Sequence, residues 1–297
     1  MSKNLKSIYS ALIANGLIAI TKFIAGAFTN SSSMISEGIH SVVDTVNQLL
    51  LLYGLRRSKK PANERHPFGY GKELYFWAFM VSILIFGVGG GVSIYHGIGF
   101  LLHPESLDNP KVNYIVLGLS LLFEVISFYI ALKEFNLSRG ELHWWSAVKN
   151  SKDPSSFLVL FEDAAALGGL LIVLILMLIN QAFDLPYLDG VASIMVGLLL
   201  VSVSLFLGRE SRSLLMGEGV SPETQEKVKV LVETDEAVLK VTEVLSTYQS
   251  PEEVILMLKV QFKPDMDTSK ITAAIERITQ SIRARFRHVA YVLIQPA

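Results

Sequence analysis

Residues 36–48, Ser-Glu-Gly-Ile-His-Ser-Val-Val-Asp-Thr-Val-Asn-Gln, put two carboxylates, an imidazole and two amides inside a stretch that otherwise reads as lipid-facing. At about 100° per residue on a helix, Glu37, His40, Asp44, Asn47 and Gln48 fall within an arc of roughly 100°, and Ser33 falls in the same arc. A charge facing lipid costs several kcal/mol, so such a stripe faces protein or water. His40 and Asp44 stand at i and i+4, so their heads meet on one face. A neutral imidazole and a carboxylate are nitrogen and oxygen ligands of the type zinc accepts. Helix–helix adhesion is the competing reading, because amides such as Asn47 and Gln48 commonly hydrogen-bond between membrane helices. The pairing of His40 with Asp44, together with acids on a second apolar stretch, favours metal binding.

Those acids are Glu162 and Asp163, in the run DPSSFLVLFEDAAALGGLLIVLI (153–175). Adjacent helical residues point about 100° apart, so only one of the two can head the His40 face directly. Ala164, Ala165, Ala166, Gly168 and Gly169 are small enough to let another helix approach closely, as a shared metal site requires.

The elements that would position these groups follow from composition and patterning. The chain has 297 residues, is 51% hydrophobic and only 18% charged, and contains no cysteine. Its mean hydropathy is +0.44. Soluble domains average about 25% charged residues, so this composition indicates a membrane protein. The net charge of −1 gives no indication of a nucleic-acid partner. The absence of cysteine excludes disulfides and thiolate metal sites. Six stretches are long and apolar enough to cross a hydrocarbon layer, near 8–28, 34–56, 74–102, 112–134, 154–181 and 186–208. The N-terminal stretch has a basic start without a small-residue cleavage site, and it reads as a first membrane helix.

Basic residues set the expected orientation. Lys3 and Lys6 precede the first span, Arg56, Arg57, Lys59, Lys60, Arg65 and Lys72 fill the second loop, and Arg139, Lys149 and Lys152 lie in the fourth. The alternate loops carry only Lys111, so both termini are expected in the cytoplasm. From 209 to 297 the pattern changes to that of a small α+β domain. TQEKVKVLVET reads as an amphipathic helix and LKVTEVLSTYQ as a strand. EVILMLKVQF alternates, with Val254, Leu256, Leu258, Val260 and Phe262 on one face. Ile271, Ile275, Ile278 and Ile282 recur at helical spacing after the Asp267/Thr268 cap signal, and HVAYVLI closes as a strand. The expected architecture is a transmembrane domain of six helices, residues 1–208, then a cytoplasmic ferredoxin-like domain of order αββαβ, residues 209–297.

These features resemble the cation diffusion facilitator family over nearly the whole chain. The resemblance rests on His40-Ser-Val-Val-Asp44 in the second span, Lys22-Phe-Ile-Ala-Gly in the first, His66-Pro-Phe-Gly-Tyr-Gly-Lys72-Glu73 in the second loop and Gly217-Glu218-Gly219-Val220-Ser221-Pro222 before the tail. It implies a homodimeric secondary transporter holding its ion between the second and fifth spans, with a His/Asp-x-x-x-Asp pair on each. The fifth span departs from that pattern. Counting eight and twelve residues from Pro154 gives Glu162 and then Ala166, so the last protein ligand is missing. Leu-Phe-Glu-Asp-Ala-Ala-Ala is similar to the branch containing the mitochondrial zinc transporter of animals and its bacterial relatives. The resemblance thus assigns His40, Asp44 and Glu162 as ligands, with water or Asp163 completing the tetrahedron. An open fourth position suits a carrier that must release its ion. Because ligands bind metal deprotonated, protons would serve as the counter-substrate. The expected cargo is Zn²⁺ leaving the cytoplasm, with Mn²⁺ or Fe²⁺ as alternatives, across a bacterial inner membrane.

Other charges lie within apolar spans. Lys22, Glu37 and Asp189 sit near one end of their spans and are expected to form a salt-bridge cluster, with structural pairing favoured for Lys22 and Asp189. Glu37, one turn from His40, and Asn47 are candidates for lining the ion's path. Glu124 is either a lining residue or a partner for Lys22. Gly89-Gly90-Gly91 lacks the strand and lysine of a nucleotide loop and reads as helix packing. His66, beside Glu64 and Glu73, is a candidate for an accessory cation. His143, next to Trp144 and Trp145, reads as interfacial. His288 is the tail's one histidine, so a tail metal would rest on acids such as Glu233, Asp235 and Asp265. Two other classes remain open, an intramembrane metallo-hydrolase and an inert membrane scaffold. Neither H-E-x-x-H nor G-x-S-x-G, the motifs that would announce a hydrolase, occurs.

Overall fold

The computed structural model describes residues 2–104, 110–140, 143–144, 147–148 and 151–297, and their side chains except at 2–14, 110, 138, 155 and 156. Trp145 and Lys149 therefore lie outside the described residues, as do the side chains of Lys3 and Lys6. The chain divides into two compact units: Met1–Gly54 with Trp77–Val148 and Pro154–Ser211, and Leu55–Phe76 with Lys149–Asp153 and Arg212–Ala297.

The first unit is helical. It holds all or most of α1 (Ser2–Thr29), α2 (Ser32–Ser58), α3 (Glu73–Leu102), α4 (Pro110–Arg139), α5 (Pro154–Phe183) and α6 (Tyr187–Met216). Helices α3, α4, α5 and α6 are long and apolar enough to cross a membrane, and Asn15–Thr29 of α1 is a shorter apolar helix. Helix α2 is 27 residues long but falls short in hydropathy, because Glu37, His40, Asp44, Asn47 and Gln48 occupy one side of it. Asn30 takes a left-handed φ of 55° at the turn from α1 to α2. Helix α6 continues past residue 208, since nothing before Gly217 breaks it; that glycine has φ 101°.

Two glycine pairs bring α3 and α6 together backbone to backbone. A Cβ at Gly90 would lie 2.6 Å from Val201 Cγ2 and 3.0 Å from the Gly197 carbonyl oxygen, and one at Gly97 would lie 2.7 Å from the Gly190 carbonyl. The pairs 90/197 and 97/190 are antiparallel and two turns apart, as close helix packing by small residues requires. Around Gly89-Gly90-Gly91 the helix widens into a π-helical segment, Ile85–Gly91. The glycine run was legible as packing; the π segment was not. Ile85, Val81, Val173, Val196, Leu200 and Leu207 are buried in the core of this unit. Trp144 packs on Phe135 and Phe161 at ring separations of 5.5 and 6.2 Å.

The second unit contains α7 (Pro222–Glu233), β1 (Val238–Ser250), β2 (Glu253–Phe262), α8 (Thr268–Arg285) and β3 (Val289–Pro296), the expected αββαβ order. Ser221 caps α7 by accepting from the Thr224 N–H, and Asp267 caps α8 by accepting from the Lys270 N–H at 2.8 Å. The sheet order is β1-β2-β3, with β1 antiparallel and β3 parallel to the central strand. The parallel step is made by α8, whose Ile278 and Ile282 bury against Val254, Leu256, Leu258 and Val260. Two of the three acids named for a tail metal, Glu233 and Asp235, are engaged by neighbours within the domain. Glu233 Oε1 accepts from the Val241 N–H at 3.0 Å, and Asp235 is gripped by Arg277 at 3.0 and 3.2 Å.

Two measurements follow from this packing. Gly90→Val forces the α3–α6 contact open and should destabilise the full chain by about 1–3 kcal/mol, as overpacking does. Gly118→Ala, where a Cβ meets nothing within 4 Å, should not; thermal unfolding in detergent compares them. In the second unit, partial burial alone would raise the Asp235 carboxyl. The Arg277 guanidinium and the Ala237 N–H outweigh it and hold the group below its usual value. A depressed folded value adds stability that is full above about pH 4 and lost as pH falls through the lowered value. Asp235→Asn should therefore lower hydrogen-exchange protection of α8 at pH 7, and the difference from wild type should shrink toward pH 3.

Candidate metal centre

The polar stripe of α2 faces protein. Ser33, Ser36, Glu37 and Asn47 are fully buried, His40 is 2% exposed, and the Asp44 side chain is 15% exposed. A regular helix puts these groups one above another, and close neighbours on other helices complete the surroundings. His40 Nδ1 lies 3.5 Å from Asp44 Oδ1, so the i,i+4 heads meet without a hydrogen bond. Asn47 Nδ2 donates to Glu162 Oε1 at 2.7 Å, which ties α2 to α5.

The two adjacent acids of α5 diverge. Glu162 turns to α2, whereas Asp163 Oδ2 accepts from Ser127 Oγ of α4 at 2.8 Å. The structure thus brings His40, Asp44 and Asn47 together on α2 and sets Glu162 against Asn47. It directs Asp163 elsewhere.

Five polar atoms of α2 are buried and have no hydrogen-bond partner among the described residues: Glu37 Oε1, both ring nitrogens of His40, Asp44 Oδ1 and Asn47 Oδ1. Buried polar atoms are almost always paired, so this concentration within three turns is a set of donors open to a cation. The donor set is mixed, with imidazole nitrogen, carboxylate oxygen and amide oxygen. Among the described residues, no three His, Asp or Glu side chains are placed to hold one metal ion together.

Toward the N-terminal end of α2 the polar groups are satisfied, apart from Glu37 Oε1. Lys22 Nζ of α1 lies 3.0 Å from Glu37 Oε2 and 2.9 Å from Ser41 Oγ. Asp189 of α6 was expected beside Lys22 but accepts from Ser31 Oγ at 2.9 Å, from the Ser33 N–H at 3.0 Å and from Ser33 Oγ. The first turn of a helix has N–H groups without intrahelical acceptors and a positive dipole end, and a carboxylate serves both. Ser193 Oγ joins the same end, 2.9 Å from Ser32 Oγ and 3.0 Å from Ser36 Oγ. Local pattern gives no sign of this role for Ser31 and Ser33, because their acceptor is more than 150 residues away. Glu124 is half-buried on α4 and, among the described residues, makes no ion pair. His66 is exposed, its ring stacked on Tyr70 at 4.2 Å, and Glu73 is taken by Arg57 at 2.8 Å.

Comparison with known proteins places this geometry in a family. Residues 8–216 match the cation efflux transmembrane domain, and residues 220–296 match the cytoplasmic domain of cation efflux proteins. The protein called "Proton-coupled zinc antiporter SLC30A9, mitochondrial" in Xenopus laevis is 34% identical over 88% of this chain and 46% of its own length. Its Homo sapiens counterpart is 33% identical over 88% and 45%. The chain therefore spans about half the length of these curated relatives. "Manganese efflux system protein MneP" of Bacillus subtilis (strain 168) is 26% identical over 96% of this chain and 92% of its own. With both domains matched over nearly all its residues, the chain belongs to the cation efflux, or cation diffusion facilitator, family of membrane transporters and not to a family of enzymes.

Proposed function

We propose that the protein exports a divalent metal cation, Zn²⁺ in the first instance, from the cytoplasm in exchange for protons. The observation that carries this reading is the group of unpartnered donors at His40, Asp44 and Asn47, one hydrogen bond away from Glu162. His40, Asp44 and Glu162 are the proposed ligands, and Asn47 positions Glu162 toward α2. A histidine with two carboxylates suits zinc, and the named zinc antiporters among the relatives point the same way. Manganese is the second reading, favoured by the oxygen donors of Asp44, Glu162 and Asn47 and by the likeness to MneP. Asp163 leaves the ligand set in this reading, because Ser127 holds it on the α4 side.

The ligands bind metal only when deprotonated, so proton and cation compete for the same heads. If the helices rock between two openings around a fixed site, protons entering from the acidic side displace the cation there. Both termini lie in the cytoplasm in this proposal, the membrane is a bacterial inner membrane, and the carrier works as a homodimer through its cytoplasmic domain.

Flux of Zn²⁺ and Mn²⁺ into inverted vesicles holding the purified protein tests the reading. His40→Ala, Asp44→Ala and Glu162→Gln should each lower flux by more than the roughly 10–100-fold that loss of a positioning partner costs, and Asn47→Ala should fall within that range. Asp163→Asn should have the smaller effect. Full flux in His40→Ala with Asp44→Ala would end the proposal. In the same vesicles, an acidic interior should accelerate metal uptake, and a proton ionophore should remove the acceleration. Uptake indifferent to the imposed gradient would leave a metal carrier without proton exchange.

A further inference from the structure

An ammonium lies beside the proposed cargo site. Lys22 is 1% exposed and Glu37 is fully buried, and Nζ stands 3.0 Å from Oε2. The same Nζ donates to Ser41 Oγ at 2.9 Å, and Ser41 is the residue after His40.

A pair built only to hold α1 against α2 would have both carboxylate oxygens occupied, since an open lone pair buried in a membrane domain costs free energy. Glu37 is occupied on one side only. Its Oε1 is buried without a hydrogen-bond partner among the described residues and is directed at α5, where a Cβ at Gly169 would stand 2.9 Å from it. Glycine at that position leaves the oxygen open. One turn along the same stripe, both nitrogens of His40 are open as well.

We propose that Glu37 is a second stop for the divalent cation, between His40 and the N-terminal end of α2, and that Lys22 is a tethered cation that occupies this acid when cargo does not. The proposal rests on the reading of His40, Asp44 and Glu162 as cargo ligands. A bare carboxylate at this depth would hold a divalent ion too strongly to release it, because opposite charges attract far more in a medium of low dielectric constant. Lys22 cancels one charge while covering one oxygen, so Oε1 remains an entry point. As the ion arrives, the ammonium shifts its weight to Ser41, which it already touches, and its repulsion urges the ion onward.

The test uses the full chain, with zinc binding measured by calorimetry in detergent and zinc flux in vesicles, for Lys22→Gln, Glu37→Gln and the double variant. Lys22→Gln should bind one more zinc equivalent per chain than wild type, and should slow flux about tenfold by retaining the ion, a change of about 1.4 kcal/mol in the barrier. The double variant buries no unpaired charge, which protects its fold, and it should show no extra equivalent while also losing about tenfold in flux. A double variant that carries zinc at the wild-type rate overturns the proposal, as does a folded Lys22→Gln with no extra equivalent. Should Lys22→Gln fail to fold, the flux of the double variant decides. Wild-type protein that moves no divalent cation removes the cargo reading itself, a result separate from either of these.

Discussion

A polar atom left alone in a hydrocarbon layer costs several kcal/mol, and α2 carries a column of such atoms through the helical unit. The surrounding helices answer it group by group. Helix α1 supplies Lys22, α5 supplies Glu162 and the open space at Gly169, and α6 supplies Asp189 and Ser193. Satisfaction is uneven along the column. The N-terminal turn is fully served by serines and a carboxylate, whereas the stretch from Glu37 to Asn47 retains the unpartnered atoms. A merely adhesive stripe would be satisfied throughout, and the proposed cation site falls on the open stretch.

Small residues do two different jobs around this column. Between α3 and α6 they bring backbones together, with apolar side chains such as Val201 and Ile194 packed around the contact. On α5 they lie beside an acid. Gly169 leaves room for the second oxygen of Glu37, and the run Ala164–Ala166 follows directly on the acids that α5 presents. The first use joins helices, and the second allows a charged helix to stand close to a polar one.

Much of this was legible in the sequence because it is local. The α2 stripe follows from a 3.6-residue period, the spans from apolar length, and the tail from alternation followed by helical spacing with an Asp267 cap. What was not legible depends on tertiary approach. Glu162 and Asp163 differ by about 100° of helix rotation, and only the positions of Asn47 and Ser127 separate them. Asp189 looked like a partner for a lysine because opposite charges attract. The structure shows that the N-terminus of α2, with its own positive end, has first claim on it. The π segment at Ile85–Gly91 and the extension of α6 to Met216 had no local signal beyond glycines and the absence of a breaker.

The contacts at Glu162 and Glu37 share a form that bears on how a carrier would let go of its ion. Each acid is held on one oxygen by a protein donor, the Asn47 amide in one case and the Lys22 ammonium in the other. In the proposed cycle an arriving divalent charge displaces both donors. A closed cage of charged ligands would bind more tightly and release more slowly, which suits a structural metal and not a transported one. In the proposed cycle the protein's own donors take back each acid as the cation leaves. The energy lost in breaking metal–ligand bonds is then partly returned at the same oxygen, and this keeps the steps along α2 shallow.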